Sequence, residues 1–347
     1  PMATYLKRAD APVEEKDSRT RGIVKALLSD IRTRGEAAVT ELAARFDDWH
    51  RDFILSKEEL DALVASVPEQ TKADNRFAHE QVHGFAVKQR ESMLAFETEL
   101  TPGVTLGQRL IPCQCAGCYV PGGRFAHAAS AVMSVATAKA AGVPFIVACT
   151  PPRGESINPT VAYALTLSGA DVIMAMGGVQ AVASMAFGLF SGRPADIIVG
   201  PGNAFVAEAK RMLYGEIGID VFAGPTESLI IADKTADPMM VAVDLVSQCE
   251  HGYDSPVWLL TDSRELGERV MEIMPKVIAD MPDPEVATAL QCHPGQGCVH
   301  DALFGEGAAD RPLQIQPFNH LQVELERLGN RGSHGSDIIK PEEQVDL

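Results

Sequence analysis

Three short runs in the middle of this chain carry apolar residues without alternation, and each stops at a glycine or proline turn. Residues 145–149 run into Thr150-Pro151-Pro152, residues 171–175 into Met176-Gly177-Gly178, and residues 196–199 into Gly200-Pro201-Gly202. A strand with one face in water alternates apolar and polar side chains, whereas one that does not alternate is covered on both faces. Stretches of helical period separate the runs, at 128–141, 160–167, 180–187 and 204–213. Strand and helix in this alternation predict an α/β fold built on mostly parallel sheets. Two further apolar runs, 228–232 and 257–261, flank a helix predicted at 239–250 and point to a second sheet of the same kind.

The first hundred residues read differently. Apolar residues at helical spacing predict helices around Ile23–Ile31 and Ala37–Phe46, with Gly35 breaking the pattern between them. Ser56 followed by Glu59 is a capping box that opens a helix at Lys57. A long polar helix is predicted over 69–97, with Phe77, Val82, Phe85 and Met93 facing inward.

Composition narrows the function classes. The chain has 347 residues, 46% of them hydrophobic, enough for about two domains. Its net charge is −17 and no run of Lys or Arg occurs, so a nucleic-acid partner is not expected. The most apolar stretch, 126–149, is interrupted by Lys139 and Pro144, so no membrane span is expected. The first eight residues lack the apolar core of a signal peptide, and the expectation is a cytoplasmic protein with reduced thiols. Cys113, Cys115 and Cys118 read as buried small hydrophobes, because no fourth ligand follows them at short range.

Ligands of open parallel sheets bind beyond the carboxyl ends of the strands, which is where the Gly/Pro turns fall. Glycine there lets backbone N–H groups approach an anion at a helix N-terminus. Neither a G-x-G-x-x-G fingerprint nor a P-loop is present. Further along, Gln248 and His251 are three residues apart and share one helix face, where both could reach one metal ion. Taken alone the pair is weak, since Gln is an uncommon zinc ligand and a His near a helix end often caps carbonyls.

Five segments in order resemble the histidinol dehydrogenase family: Tyr119-Val120-Pro121-Gly122-Gly123-Arg124, residues 176–182, Val199-Gly200-Pro201-Gly202-Asn203, residues 218–225, and Ser247-Gln248-Cys249-Glu250-His251. The resemblance runs from about residue 15 to about 285. It implies two Rossmann-like domains, one inserted in the other, and a zinc-dependent, NAD-linked alcohol dehydrogenase that acts on a small molecule as a homodimer. The implied division is 1–118 with 227–290 as one domain, 119–226 as the inserted NAD domain, and 291–347 as an atypical tail, disordered or misread. Carried over by position, Tyr119, Gln180 and Asn203 match the NAD contacts. Thr226 matches a substrate contact that is usually Ser, while Gln248 and His251 match metal ligands that also hold substrate. His320 matches the family's catalytic His, and Asn319 stands where a Glu is expected.

Within the family, His251-Gly252-Tyr253-Asp254 and Phe125-Ala126-His127 are similar to the branch that oxidises 2,3-dihydroxypropane-1-sulfonate to sulfolactate. Histidinol oxidation, or an inactive relative that binds NAD only, are the alternatives. His127 reads as a helix-start residue in preference to a sulfonate ligand. A zinc cluster from Cys292, His293, Cys298 and His300 is a weaker reading of the tail. Two recognised ligands fall short of the three or four of a zinc site, and Asn319 cannot accept a proton. Dialysed protein is therefore expected to hold zinc at well below one equivalent, measured by elemental analysis, while keeping its affinity for NAD in calorimetric titration.

Overall fold

The computed structural model describes residues 4–5, 14–122, 126–222, 228–249, 257–281, 300–303, 313–314 and 324–325. In chain order the elements are β1 (Thr4–Tyr5), α1 (Glu14–Arg34), α2 (Glu36–Asp47), α3 (Lys57–Ser66), α4 (Glu69–Ser92), β2 (Phe96–Thr101), β3 (Val104–Gln108), β4 (Cys115–Tyr119), α5 (Ala128–Ala140), β5 (Phe145–Thr150), α6 (Pro159–Ser168), β6 (Val172–Ala175), α7 (Gly178–Phe187), β7 (Ile197–Val199), α8 (Ala204–Leu213) and β8 (Gly218–Ile219). After these come β9 (Ser228–Ala232), α9 (Pro238–Cys249), β10 (Val257–Thr261), α10 (Arg264–Ala279), β11 (His300–Leu303), β12 (Leu313–Gln314) and β13 (Glu324–Leu325). The chain divides into two compact units, residues 12–225 and residues 226–347 with 1–11.

The 12–225 unit carries a five-stranded sheet in the order β6-β5-β4-β7-β8, parallel throughout. Every residue of β4 is buried, as the unbroken apolar pattern requires. Helices α5 and α6 pack together with α3 and α4, whereas α7 and α8 pack together with α1 and α2. The strand order reverses after β6, and right-handed crossovers then place these two groups on opposite faces of the sheet. Helix α7 is buried from Val179 to Ala186, which suits a helix that is apolar all round.

The N-terminal helices belong to this unit, unlike the division expected from the resemblance. The reason lies at the sheet edge. Leu55 N–H donates to Ile173 O at 3.0 Å, and Ala175 N–H donates to Phe53 O at 2.8 Å, so residues 53–55 satisfy the outer edge of β6. Phe53 and Leu55 are buried there, and α1 packs on both α7 and α8. Ser56 accepts from Glu59 N–H while the Glu59 carboxylate accepts from Ser56 N–H, so the predicted capping box forms.

Helix α4 corrects the inward assignment made from sequence. Phe77, Phe85 and Met93 are 66%, 68% and 52% exposed, and the positions that α4 buries are Asn75 and Ala86. Val82, also expected inward, does pack against the core, and Arg90 of α4 donates to Ala140 O of α5 at 3.0 Å. The helix stops at Ser92, because residues from Phe96 form the hairpin β2–β3, with Thr101 paired to Val104 across Pro102-Gly103. Cys113 is exposed, whereas Cys115 and Cys118 are buried as expected.

The other unit has a parallel trio, β9-β10-β11, with β1 antiparallel on its edge. Helices α9 and α10 pack on each other and on β10. Residues 300–303 are thus a strand, within the stretch 291–347 expected to be an atypical tail. Cys292, His293, Cys298, and most of the predicted tail 291–347, lie outside the described residues. Among the described residues no helix is long and apolar enough to cross a membrane.

One polar cluster holds the end of β7 in place. Lys210 of α8 is fully buried, and its Nζ donates to Gly200 O at 2.9 Å and to Asp220 Oδ1. The other carboxylate oxygen of Asp220 accepts from Gly200 N–H at 2.7 Å. Both backbone groups of Gly200 are therefore tied to one ion pair. Lys210 is the buried partner, whereas the Asp220 side chain is 30% exposed, so it is removal of Asp220 that leaves a buried charge uncompensated, at a cost of about 3 kcal/mol or more. Asp220→Asn is expected to lower the unfolding free energy by about that amount. Adding Lys210→Met should recover part of the loss, read by urea denaturation of the single and double variants.

Candidate functional site

The switch in strand order lies between β4 and β7, the place where an open parallel sheet leaves a crevice at its carboxyl edge. Strand β4 ends at Tyr119, and β7 is followed by Gly200-Pro201-Gly202-Asn203. The turns after β4, β5, β6 and β7 converge here. A Cβ added at Gly122 would stand 2.9 Å from Pro151, and one at Gly177 would stand 2.7 Å from the same ring. Gly200 has φ +115°, and a Cβ there would collide with Tyr119 O. A side chain at Gly202 would collide with Val206. Three glycine turns predicted to line one site thus meet at one edge of the sheet, Gly123 alone lying outside the described residues.

The first N–H groups of α7 are not left open for a ligand. Gly178 N–H donates to the Tyr119 hydroxyl at 3.2 Å. The Gly177 N–H faces the Asp47 carboxylate, which accepts from Gln180 Nε2 at 3.1 Å. At α8, the Asn203 side-chain oxygen caps the helix, accepting from Phe205 N–H and Val206 N–H, both at 3.1 Å. This corrects the expectation that glycine turns here leave N–H groups for an anion. In this structure a phenol and an amide oxygen already take them up, and a carboxylate faces Gly177.

Burial sets the chemistry of these groups. Tyr119 is 3% exposed and its phenol is pushed up to about 12, chiefly by desolvation, so at neutral pH it is a hydrogen-bonding hydroxyl and not a base. Burial also raises the Asp47 carboxyl, with the bond from Gln180 and the facing Gly177 N–H pulling the other way. The Cys118 thiol near the same strand end is pushed up to about 12 by burial and stays neutral.

Of the residues proposed from sequence, the structure brings Tyr119 and Gln180 together around the Gly177-Gly178 turn and sets Asn203 on the facing turn after β7. Gln248 lies in the last turn of α9, half-buried. Thr226, His251 and His320, together with Asn319 and Arg124, fall outside the described residues. His127 stands at the N-cap position of α5, the helix-start place read from sequence. For zinc, the described part of the donor set is Gln248, one oxygen ligand. Among the described residues no three His, Cys, Asp or Glu side chains gather as a metal site. One donor does not define a zinc site, and no step is derived through the metal.

Sequence reading missed Asp47, Lys210 and Asp220. Asp47 sits 133 positions before Gln180, at the end of an unremarkable helix, and nothing in the sequence joins them. Lys210 did carry a signal. It falls on the buried face of α8 with Val206, Ala209 and Leu213, where a lysine needs a partner. A cavity of about 700 Å³ opens beside Asp196 and Gly218, at the amino-terminal edge of the sheet. Ligands of such sheets bind at the opposite edge, and the converging turns mark that edge as the site.

Comparison with known proteins gives the family. A family model described as histidinol dehydrogenase matches residues 11–303, reaching beyond the limit near 285 expected from the motifs. Sulfopropanediol 3-dehydrogenase of Ruegeria pomeroyi is 55% identical over 280 residues, 80% of this chain and 64% of that protein. A histidinol dehydrogenase homologue of the same organism is 52% identical over 338 residues, 96% of this chain and 78% of its own. The crystal structure of histidinol dehydrogenase from Elizabethkingia anophelis superimposes with a TM-score of 0.73 at 30% identity, over 86% of this chain and 70% of that one. The chain belongs to the histidinol dehydrogenase family.

Asn203 carries a load in the free protein as well as facing the crevice. Asn203→Ala removes the acceptor for two helix N–H groups and is expected to cost about 1 kcal/mol. Urea unfolding without ligand checks this structural share. Calorimetric titration with NAD reads any further loss in binding.

Proposed function

We propose that this protein is a dehydrogenase acting on a CH–OH group. It oxidises 2,3-dihydroxypropane-1-sulfonate through the aldehyde to sulfolactate, with NAD as hydride acceptor and zinc as metal. The observation that carries this reading is the 55% identity to sulfopropanediol 3-dehydrogenase across 80% of the chain. The parallel-sheet crevice at Tyr119 and Gly200 supports it as a place for a dinucleotide. The residue departures at Phe125-Ala126-His127 and His251-Gly252-Tyr253 favour the sulfonate over histidinol.

The glycine turns bear on NAD through the shape of the crevice edge, because a side chain at Gly122 or Gly177 would collide with Pro151 and one at Gly202 with Val206, displacing the turns that line it. On this reading Tyr119, Gln180 and Asn203 hold the cofactor. The first two act from beneath the α7 turn, and Asn203 acts from the exposed turn after β7. When bound, NAD accepts the hydride released from the alcohol carbon in each of two successive oxidations, with water adding to the aldehyde between them. Tyr119, neutral at working pH, orients and does not abstract a proton. Proton removal falls to His320, and Thr226, Gln248 and His251 contact the substrate. Gln248 and His251 are the residues that would hold zinc. The same reading makes the protein a cytoplasmic homodimer whose other partner is a small molecule.

Steady-state NADH formation with each alcohol, zinc and NAD tests the assignment. A higher kcat/KM for the sulfonated diol than for histidinol is expected, and the reverse order overturns the substrate. Asn319, in place of the expected Glu, predicts slow turnover. NAD binding without NADH from either alcohol would make this chain the inactive relative.

A further inference from the structure

The Asp47 carboxylate is used by neither the family motifs nor the chemistry above, yet it is built into the crevice. It ends α2 and reaches the first turn of α7, where it accepts from the side chain of Gln180 at 3.1 Å and faces the backbone of Gly177. An ionised carboxylate only accepts hydrogen bonds, so it dictates which end of the Gln180 amide faces it. The Nε2 group must point to Asp47, which leaves Oε1 on the other side. That oxygen lies 3.0 Å from the position of a Cβ on Gly178, against 3.6 Å for Nε2, so it is the acceptor that is turned toward the glycine turn. A side chain at Gly178 would press on it, and the φ of +63° there favours glycine independently.

We infer that Asp47 is a positioning residue for the cofactor site: it fixes the Gln180 amide so that an acceptor oxygen, and not an N–H donor, is presented at the Gly177-Gly178 turn. The inference rests on the reading that Gln180 belongs to the NAD site. Its consequence is chemical. A negative carboxylate stands at the N-terminus of α7, where a Rossmann-type helix would ordinarily draw a phosphate. That helix end is therefore closed to anions and suited to a neutral donor such as a sugar hydroxyl or a carboxamide NH2. The pyrophosphate must be held elsewhere.

The test is a double-mutant cycle on NAD affinity, measured by calorimetric titration of the full chain. It uses Asp47→Asn, Gln180→Ala and both together, with melting temperatures recorded for each. An asparagine at 47 can donate to Oε1 and let the amide turn over. Asp47→Asn is therefore expected to weaken NAD binding about tenfold, the effect of one charge-assisted hydrogen bond. Gln180→Ala is expected to weaken it to a similar degree, and the double variant to bind no more weakly than Gln180→Ala alone. Effects that merge in this way are what a residue acting through another produces, whereas a general structural defect multiplies. Should Asp47→Asn fail to fold, Asp47→Ser takes its place in the cycle.

Two outcomes overturn the inference by itself: unchanged affinity in Asp47→Asn when Gln180→Ala is weakened, or losses that multiply in the double variant. Unchanged affinity in Gln180→Ala, or no NAD binding by the unaltered chain, instead overturns the cofactor reading on which the inference stands, and the inference with it.

Discussion

Strand β4 is hydrogen-bonded to a parallel neighbour on each side and sealed by a helix layer on each face. It takes the central position in its sheet, with β5 on one edge and β7 on the other. Close layers demand small side chains, and Cys115-Ala116-Gly117-Cys118 supplies them. A Cβ on Gly117 would stand 3.0 Å from the Met185 sulfur and 3.2 Å from Ile198, so the helix α7 could not settle as deeply on a bulkier strand. The chain leaves β4 toward β5 and returns past it to β7. That reversal opens the crevice at Tyr119, and the candidate site depends on it.

At the crevice the protein uses its own polar side chains, buried at Tyr119, Gln180 and Lys210 and exposed at Asn203 and Asp220, to hold its turns. Tyr119 props Gly178, Asp47 ties Gln180, Asn203 caps α8, and the Lys210–Asp220 pair grips both backbone groups of Gly200. Each of these groups is satisfied by a partner of the right type within the protein. The same bonds occupy the amides that a helix N-terminus would otherwise offer to a phosphate. The sheet is Rossmann-like in strand order, but at these turns side chains of the protein already accept from the Gly178, Phe205 and Val206 N–H groups.

How much of this was legible depended on distance along the chain. Strand runs 228–232 and 257–261 and helix 204–213 form over those same residues, because uninterrupted apolar runs and helical period are local signals. Ser56 and Glu59 are three apart, and their reciprocal capping was equally local. The hairpin β2–β3 was not read from sequence: the helix expected over 69–97 overlaps only its first two residues, although Thr101-Pro102-Gly103 offered a turn. Phe77 and Phe85 fit an inward stripe by spacing, yet the stripe that packs is decided by what α5 presents to it.

The sequence by itself determined the class of fold, the positions of most strands and helices, and the place of the glycine turns at strand ends. It also carried the motifs that put the chain in its family. All of these follow from short-range patterning of side chains along one backbone. Only the tertiary structure decided that residues 53–55 close the edge of β6 and so draw the N-terminal helices onto this sheet. Only it brought Asp47 to Gln180 across 133 positions and set Lys210 between Gly200 and Asp220. Those pairings are made by the paths of the crossovers and by the need to satisfy polar groups once buried. Neither leaves a mark on the residues immediately beside them.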